Sequence, residues 1–148
     1  MASLPNELII DANILFSFFK SDSVRRHLIE ELLNNDCKLS SPEFALKELL
    51  SDKEKIIKFS GISESDFTFN FSILEKEIKV VLEDEYEEFL SEANKISPHN
   101  NSTKDDPYFA LALSYNSPIW SDETAFKEQS KVKVFSTKDL LKLLSTPE

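Results

Sequence analysis

Short apolar runs alternate with amphipathic helical stretches along most of the chain, and this alternation restricts the fold more than any other feature. Leu8–Ile10 is a continuous apolar run, which is typical of a strand buried on both faces. Further short strands are predicted at Cys37–Ser40, Ile78–Leu82, Pro118–Ser121 and 131–136. Strands that alternate with helices indicate an α/β fold with a mainly parallel sheet.

The intervening helices are predicted from apolar residues at helical spacing. Ser41 and Pro42 form a helix start, with Ser as the N-cap and Pro at the first helical position, and this helix runs on to Ile57. The segment ISPHNNSTKDDP (96–107) is rich in Ser, Asn, Pro and Asp and is predicted to be a loop. Other helices are predicted at 22–35, 64–77, 83–96, 106–115 and 138–144, although the alternation FTFNF at 67–71 also fits a strand.

Composition bounds the class of protein. With 148 residues, 41% of them hydrophobic, residues 1–148 are expected to form a single domain with one core. Gly61 is the only glycine, which excludes a P-loop and a Gly-rich dinucleotide motif. Cys37 is the only cysteine, so no internal disulfide is possible, and a reducing cytoplasm is the expected location. The N-terminal apolar run is interrupted by Asp11 and Asn13, so neither a signal peptide nor a membrane span is expected.

The chain is strongly acidic, with a net charge of −10 and a pI near 4.7. Such a surface argues against a protein that simply coats nucleic acid. Metal cations held between carboxylates and phosphates would still allow a polyanion to bind. The charge is therefore compatible with a metal-dependent nuclease.

Several acids stand where strands or helices begin or end, and each has a plain structural interpretation. Asp11 directly follows the first strand and could cap the next helix. Glu48 lies within a helix, where a solvated acid is ordinary. Asp105 and Asp106 precede an apolar helix, and one of them is expected to cap it.

Taken together the acids indicate more than capping. Asp122 and Glu123 follow another strand, and sites in parallel sheets gather beyond the carboxyl ends of the strands. Carboxylates that converge there raise one another's pKa values unless a cation neutralises them. Hard divalent cations with oxygen ligands meet that need and support phosphodiester hydrolysis.

Three segments resemble the PIN-domain family, in the correct order and over nearly the whole chain. They are LIIDANILFSFF (8–19), LSSPEFALKELL (39–50) and DDPYFALALSYNSPIWSDETAF (105–126). The third is the most specific, since it is similar to the family's Asp, apolar helix, turn, strand and acidic end. One departure is Asn116, which stands where the family often has a turn glycine.

The resemblance implies the roles of the acids. Asp11, Glu48 and Asp105 match the family's three principal acids, and they are expected to coordinate Mg²⁺ or Mn²⁺. Glu123 stands where a fourth Asp is usual, and the neighbouring Asp122 could substitute for it. Two further residues match polar positions that hold the acids or water, namely Asn13 and Ser121.

The resemblance also implies a three-layer α/β/α sandwich with a mainly parallel sheet of about five strands, and metal-dependent cleavage of RNA. Many small members are VapC-like toxins inhibited by an antitoxin, and many form homodimers. Two alternatives stay open: a catalytically weak binding or regulatory module of the same fold, and a hydrolase acting on DNA flaps. Substrate contacts are expected from basic residues that could equally be solvated, namely Lys20, Arg25, Arg26, Lys47, Lys53, Lys55 and Lys58.

Overall fold

The computed structural model of the chain describes residues 3–98 and 104–145. Within these residues, five short strands form one sheet in which every neighbouring pair is parallel. Helices flank the sheet, so the α/β fold class with a parallel five-stranded sheet is confirmed. The strands are β1 (Glu7–Ile10), β2 (Lys38–Pro42), β3 (Lys79–Val81), β4 (Ile119–Trp120) and β5 (Val134–Phe135).

Most helices lie close to the predicted positions. Ser23 caps the second by accepting a hydrogen bond from the backbone N–H of Arg26, and Gly61 ends the fourth in a left-handed conformation with φ +65°. The helices are α1 (Ala12–Phe16), α2 (Val24–Asn34), α3 (Glu43–Ser51), α4 (Lys53–Ser60), α5 (Glu64–Glu77), α6 (Leu90–Ile96), α7 (Asp106–Tyr115) and α8 (Thr137–Ser145).

The strand order β3-β2-β1-β4-β5 places a topological switch between β1 and β4. From β1 the chain moves outward to β2 and β3, then returns to β4 on the other side of β1. Ile9 pairs with Ile119 and Ile10 with Trp120, so the two strands end side by side. In open α/β sheets a crevice forms beyond the strand ends at such a point.

The core forms around these central strands. Leu8, Ile9 and Ile10 are completely buried, as expected for a strand covered on both faces. Trp120 and Phe109 are also completely buried. The residues that follow β1 and β4 are therefore held by closely packed strands.

The start of the third helix differs from the prediction. Ser41 and Pro42 lie in β2, and α3 begins one residue later, at Glu43. The physical reason is that Pro42 pairs with Val81 of β3 and has an extended backbone, with φ −68° and ψ 150°, so it precedes the helix as its N-cap. The helix also ends at Ser51, and a separate helix begins after Asp52, rather than one helix continuing to Ile57.

The helix predicted over 83–96 is wrong in its first half. Two 3₁₀ turns, Glu83–Glu85 and Glu87–Phe89, precede α6, which begins only at Leu90. Five acids fall within 83–88, and like charges three and four residues apart destabilise an α-helix. Part of the loop predicted over 96–107, residues 99–103, lies outside the described residues.

Two further features bear on the sequence expectations. Cys37 is buried, and burial raises the pKa of its thiol to about 11, with the charge of Glu7 adding to the effect. Among the described residues, the helices are all too short or too polar to cross a lipid bilayer.

Candidate active site

A cavity of about 240 Å³ lies at the switch between β1 and β4, and four of the predicted acids line it. They are brought there from four separate segments: the end of β1, the middle of α3, the start of α7 and the segment after β4. We call it the acidic cavity. Its lining residues are Asp11, Ala12, Asn13, Glu48, Lys104, Asp105, Tyr108, Glu123 and Phe126.

Asp11 is the buried acid at the centre of this arrangement. It caps α1, and its Oδ1 accepts a hydrogen bond from the backbone N–H of Ile14 at 3.1 Å. Burial raises the pKa of Asp11 to about 6, although hydrogen bonds from Ser121, Ile14 and Asn13 oppose the shift and the charge of Glu123 adds to it. Asp11 therefore caps α1 and lines the acidic cavity at the same time.

Glu48 and Asp105 enter the cavity from α3 and from the residue before α7. Burial raises the pKa of Glu48; the positive charge of Lys104 opposes this shift, and the negative charges of Asp52 and Asp105 add to it. Glu48 is half-buried, so it is not the ordinary solvated acid of a helix surface.

Asp105 and Asp106 face different surroundings, although they are adjacent in sequence. Asp105 lines the acidic cavity, whereas Oδ2 of Asp106 accepts a hydrogen bond from the Asn94 side chain at 2.9 Å. Asp105 stands at the N-cap position of α7, but its side chain makes no capping hydrogen bond there. Its backbone is helical, with φ −88° and ψ −17°, whereas a capping side chain normally needs an extended backbone.

Glu123 is held at the cavity by the two predicted supporting residues. The Asn13 side-chain amide donates to Oε1 of Glu123 over 3.5 Å. The Ser121 hydroxyl accepts from the backbone N–H of Glu123 at 3.1 Å and also bonds to the Asp11 carboxyl. Asn13 and Ser121 thus connect the acid after β1 with the acid after β4.

Asp122, the alternative fourth acid, lies outside the acidic cavity. Its Oδ2 accepts from Nε and Nη2 of Arg25 at 3.0 and 2.8 Å, and Thr137 donates to both carboxyl oxygens at 2.6 Å. We call Arg25, Asp122 and Thr137 the Arg25 cluster. Burial alone would raise the pKa of Asp122, but the Thr137 hydrogen bonds and the charge of Arg25 together outweigh it and lower the pKa.

The Arg25 cluster braces the wall of the acidic cavity. Nη1 of Arg25 donates to the backbone carbonyl of Asn13 at 3.3 Å and to the Ser17 hydroxyl at 2.9 Å. Arg25 holds Asn13, whose side chain contacts Glu123, and it also holds Asp122, the residue before Glu123. Arg25 therefore restrains Glu123 from both sides. Arg25 therefore supports the site rather than standing ready for a substrate phosphate.

Several other predicted phosphate contacts are also engaged within the protein. Arg26 pairs with Glu30 in the described residues and stacks over the Phe18 ring at 4.0 Å. Two more ion pairs involve predicted lysines, namely Lys47 with Glu43 and Lys53 with Glu64. Lys20 lies over the ring of Phe59 but is itself exposed.

Tyr108 is a cavity residue that the sequence reasoning missed. Its hydroxyl accepts a hydrogen bond from the backbone N–H of Ala12 at 3.3 Å. Burial raises its pKa well above the ordinary value, and the charges of Asp11 and Glu48 add to the effect. The phenol therefore stays protonated at neutral pH. Its position three residues after Asp105, on the same face of a helix, was the signal that could have revealed it.

The donor chemistry of the acidic cavity suits a hard divalent cation. Among the described residues that line it, four are carboxylates and one, Lys104, carries positive charge. Clustered carboxylates in a partly buried site favour a bound cation, and oxygen ligands are those that Mg²⁺ and Mn²⁺ prefer. In residues 3–98 and 104–145, however, no three or more Asp, Glu, His or Cys side chains are already arranged to hold a metal ion. The fit therefore rests on donor type and charge.

Comparison with known families and structures is consistent with this architecture. The sequence model of the PIN domain matches residues 9–143. No curated protein sequence matches the chain. One similar solved structure is VapBC2 from Rickettsia felis bound to a DNA fragment from its promoter, with a TM-score of 0.68 and 12% identity over 88% of this chain and 98% of that one. Another is PAE2754 from Pyrobaculum aerophilum, with a TM-score of 0.64 and 14% identity over 97% of this chain and 93% of that one.

Proposed function

The chain belongs to the PIN domain family, a family of nucleases, and from this premise we propose that it is an endoribonuclease that depends on Mg²⁺ or Mn²⁺ and hydrolyses RNA phosphodiester bonds. One observation carries the proposal: four carboxylates, remote from one another in the chain, line a single cavity at the sheet switch. Such a concentration of negative charge is unfavourable for folding alone and is useful when a cation binds.

In this proposal Asp11, Glu48 and Asp105 hold the cation, and Glu123 is the fourth acid. A bound divalent cation would stabilise negative charge on the phosphate oxygens and make a water molecule more acidic. Asp122 is left out of the catalytic set because its two oxygens already accept hydrogen bonds from Arg25 and Thr137.

The remaining cavity residues would position the acids. Ser121 and Asn13 hold Asp11 and Glu123, which fixes the separation of the acids after β1 and β4. The protonated hydroxyl of Tyr108 would supply a neutral hydrogen-bond donor inside a strongly acidic site.

A toxin role is part of the same proposal. The likeness to VapBC2 supports a partner of the antitoxin kind, whose binding would block the acidic cavity. Formation of a homodimer and a cytoplasmic location complete the proposal, the latter because the sole cysteine suits a reducing compartment.

The decisive experiment measures cleavage of single-stranded RNA by the purified protein with Mn²⁺ and with EDTA. We expect fragments with Mn²⁺ alone, a loss of at least about 100-fold in rate for Asp11→Asn, and a much smaller loss for the matched variant Asp122→Asn, because Asp122 braces the cavity wall without lining the cavity. Asn still caps a helix, so Asp11→Asn keeps the α1 start and tests the charge. Intact RNA with wild-type protein, or equal cleavage by Asp11→Asn, would contradict the proposal.

A second candidate is a binding or regulatory module with little catalytic activity. It is favoured by Glu123 at a position where the family usually has Asp, and by the lack of a ready-made metal arrangement in the described residues. Thermal unfolding with Mn²⁺ separates the two: a nuclease gains stability from the cation and cuts RNA, whereas the module does neither.

A further inference from the structure

A second cavity, of about 570 Å³, adjoins the acidic cavity. Asn13 and Glu123 line both cavities, so a ligand held at the acids can continue into the second without leaving the surface. It is also lined by Phe16 of α1 and Phe59 of α4, together with Ser17, Arg25, Asp122 and Thr124. We call it the aromatic cavity.

Phe59 and Phe69 are the two mostly exposed phenylalanines among the described residues, and of these only Phe59 lines the aromatic cavity. The exposed fraction of Phe59 is 61%, whereas rings such as Phe19, Phe67 and Phe109 are almost completely buried. Phe59 still has a defined position, since it packs edge-to-face against Phe16 with 5.7 Å between centroids. A large exposed ring costs free energy in water, which a stacked ligand would recover.

A positive charge accompanies the ring. Nζ of Lys20 lies 5.6 Å from the centroid of Phe59, and Lys20 itself is exposed. The ammonium lies over the face of the ring, so a planar group stacked on Phe59 would take its place, and the displaced ammonium group would lie beside the stacked group, where it can meet an attached phosphate. Exposed aromatic rings combined with cations are the means by which proteins hold single-stranded nucleic acid.

We propose that the aromatic cavity binds a nucleobase of the RNA strand whose phosphodiester lies in the acidic cavity, with the base stacked on Phe59 and a neighbouring phosphate near Lys20. This inference rests on the proposed function, since it deepens the description of the substrate. Stacking on Phe59 needs a base that is already unpaired, so single-stranded RNA is bound and a duplex is excluded. A phenyl ring reads no base edge, so base identity has little effect on the stacking contact.

The test measures binding with Ca²⁺ in place of Mn²⁺, so that a hard divalent cation neutralises the acids, and gel electrophoresis checks that the RNA stays intact. It uses the whole chain and three probes: a single-stranded hexaribonucleotide, an abasic ribose-phosphate oligomer of equal length, and an RNA duplex. The wild type should bind the hexaribonucleotide best. Phe59→Ala should weaken that binding on the order of 10-fold. The control Phe69→Ala, an equally exposed ring on α5 that does not line the aromatic cavity, should leave it unchanged.

A further variant, Phe59→Trp, supplies a direct signal. It should keep the affinity, and the hexaribonucleotide should quench its fluorescence while the abasic oligomer should not. Trp120 is completely buried and should contribute little to this change. Equal binding of the abasic oligomer, or unchanged binding by Phe59→Ala, would overturn the inference.

The outcomes separate this inference from the nuclease proposal. If the wild type cleaves RNA with Mn²⁺ and Phe59→Ala binds RNA as tightly as the wild type, only the stacking proposal is contradicted. Quenching of Phe59→Trp without any cleavage by the wild type would sink the nuclease proposal alone. If light scattering shows that Phe59→Ala only converts a dimer to a monomer, with RNA affinity unchanged, a second protein copy covers the ring and the inference is wrong.

Discussion

The acidic cavity and the Arg25 cluster treat carboxylates in opposite ways, although Asp122 and Glu123 are neighbours in the chain. In the Arg25 cluster the protein supplies its own donors and a positive charge, and the pKa of Asp122 falls. In the acidic cavity burial dominates, and the pKa values of Asp11 and Glu48 rise. The difference is that Asp122 is charge-compensated within the protein, whereas the acids of the acidic cavity are the ones we propose to hold a cation.

The largest effect should appear in cation affinity. Glu48→Gln keeps the size of the side chain and removes a charge from the acidic cavity, so the Kd for Mn²⁺ should rise by at least about 100-fold. Asp122→Asn should change it by less than about 3-fold, because that acid lies in the Arg25 cluster. Calorimetric titration measures both values, and equal losses in the two variants would abolish the comparison.

The pH dependence of stability without cations comes next. The folded-state pKa of Asp11 is about 6 against an ordinary 3.8, so the folded state binds more protons between these values. The free energy of unfolding should therefore fall as the pH rises from about 4 to 6, with a contribution of about 3 kcal/mol from this group. Urea unfolding in EDTA should show this fall in the wild type and its loss in Asp11→Asn.

The sign is opposite for Asp122. Its lowered pKa gives a contribution that is present above about pH 4 and is lost as the pH falls further. Asp122→Asn should therefore leave the decline between pH 4 and 6 in place. A decline that survives in Asp11→Asn would show that another group causes it.

A smaller effect is expected from breaking the Arg25 cluster. Asp122→Asn removes the charge that Arg25 and Thr137 contact, so the free energy of unfolding at pH 7 should fall by about 2 kcal/mol. That loss corresponds to a Tm lower by about 6 °C. In EDTA at the same pH, Asp11→Asn should raise the Tm because it removes a buried charge, and a lower Tm there would count against the contrast.

The smallest change concerns one hydroxyl of the Arg25 cluster. The Thr137 hydroxyl donates to Asp122 and accepts from the indole N–H of Trp120 at 3.1 Å. Thr137→Val should cost about 1 kcal/mol, whereas Thr137→Ser should retain both hydrogen bonds. Chemical unfolding at pH 7 compares the two, and equal stability would mean that the hydroxyl contributes nothing.

The placement of the site was predictable because it follows from strand order and direction. Asp11 and Glu123 follow β1 and β4, and parallel strands end at the same edge. Which of Asp122 and Glu123 lines the acidic cavity was not predictable. It depends on Arg25, which is 97 residues away from Asp122 in the chain and reaches it only in the folded state.

The missed elements have local causes. The stripe of Tyr86, Phe89 and Leu90 fits a helix, but repulsion among the acids at 83–88 delays α6 to Leu90. The exposure of Phe59 was also hidden, since its spacing from the buried Ile56 resembles that of a core residue. That residues 1–148 form a single domain stays a prediction.

The burial of Cys37 makes its thiol a probe of local unfolding near β2. A thiol with a pKa of about 11 and almost no contact with water reacts slowly with maleimides while the sheet is closed. A cysteine introduced at the surface can therefore be labelled with a dye while Cys37 is kept in the sequence. The slow rate at which Cys37 is then labelled measures how often the start of β2 opens by local unfolding.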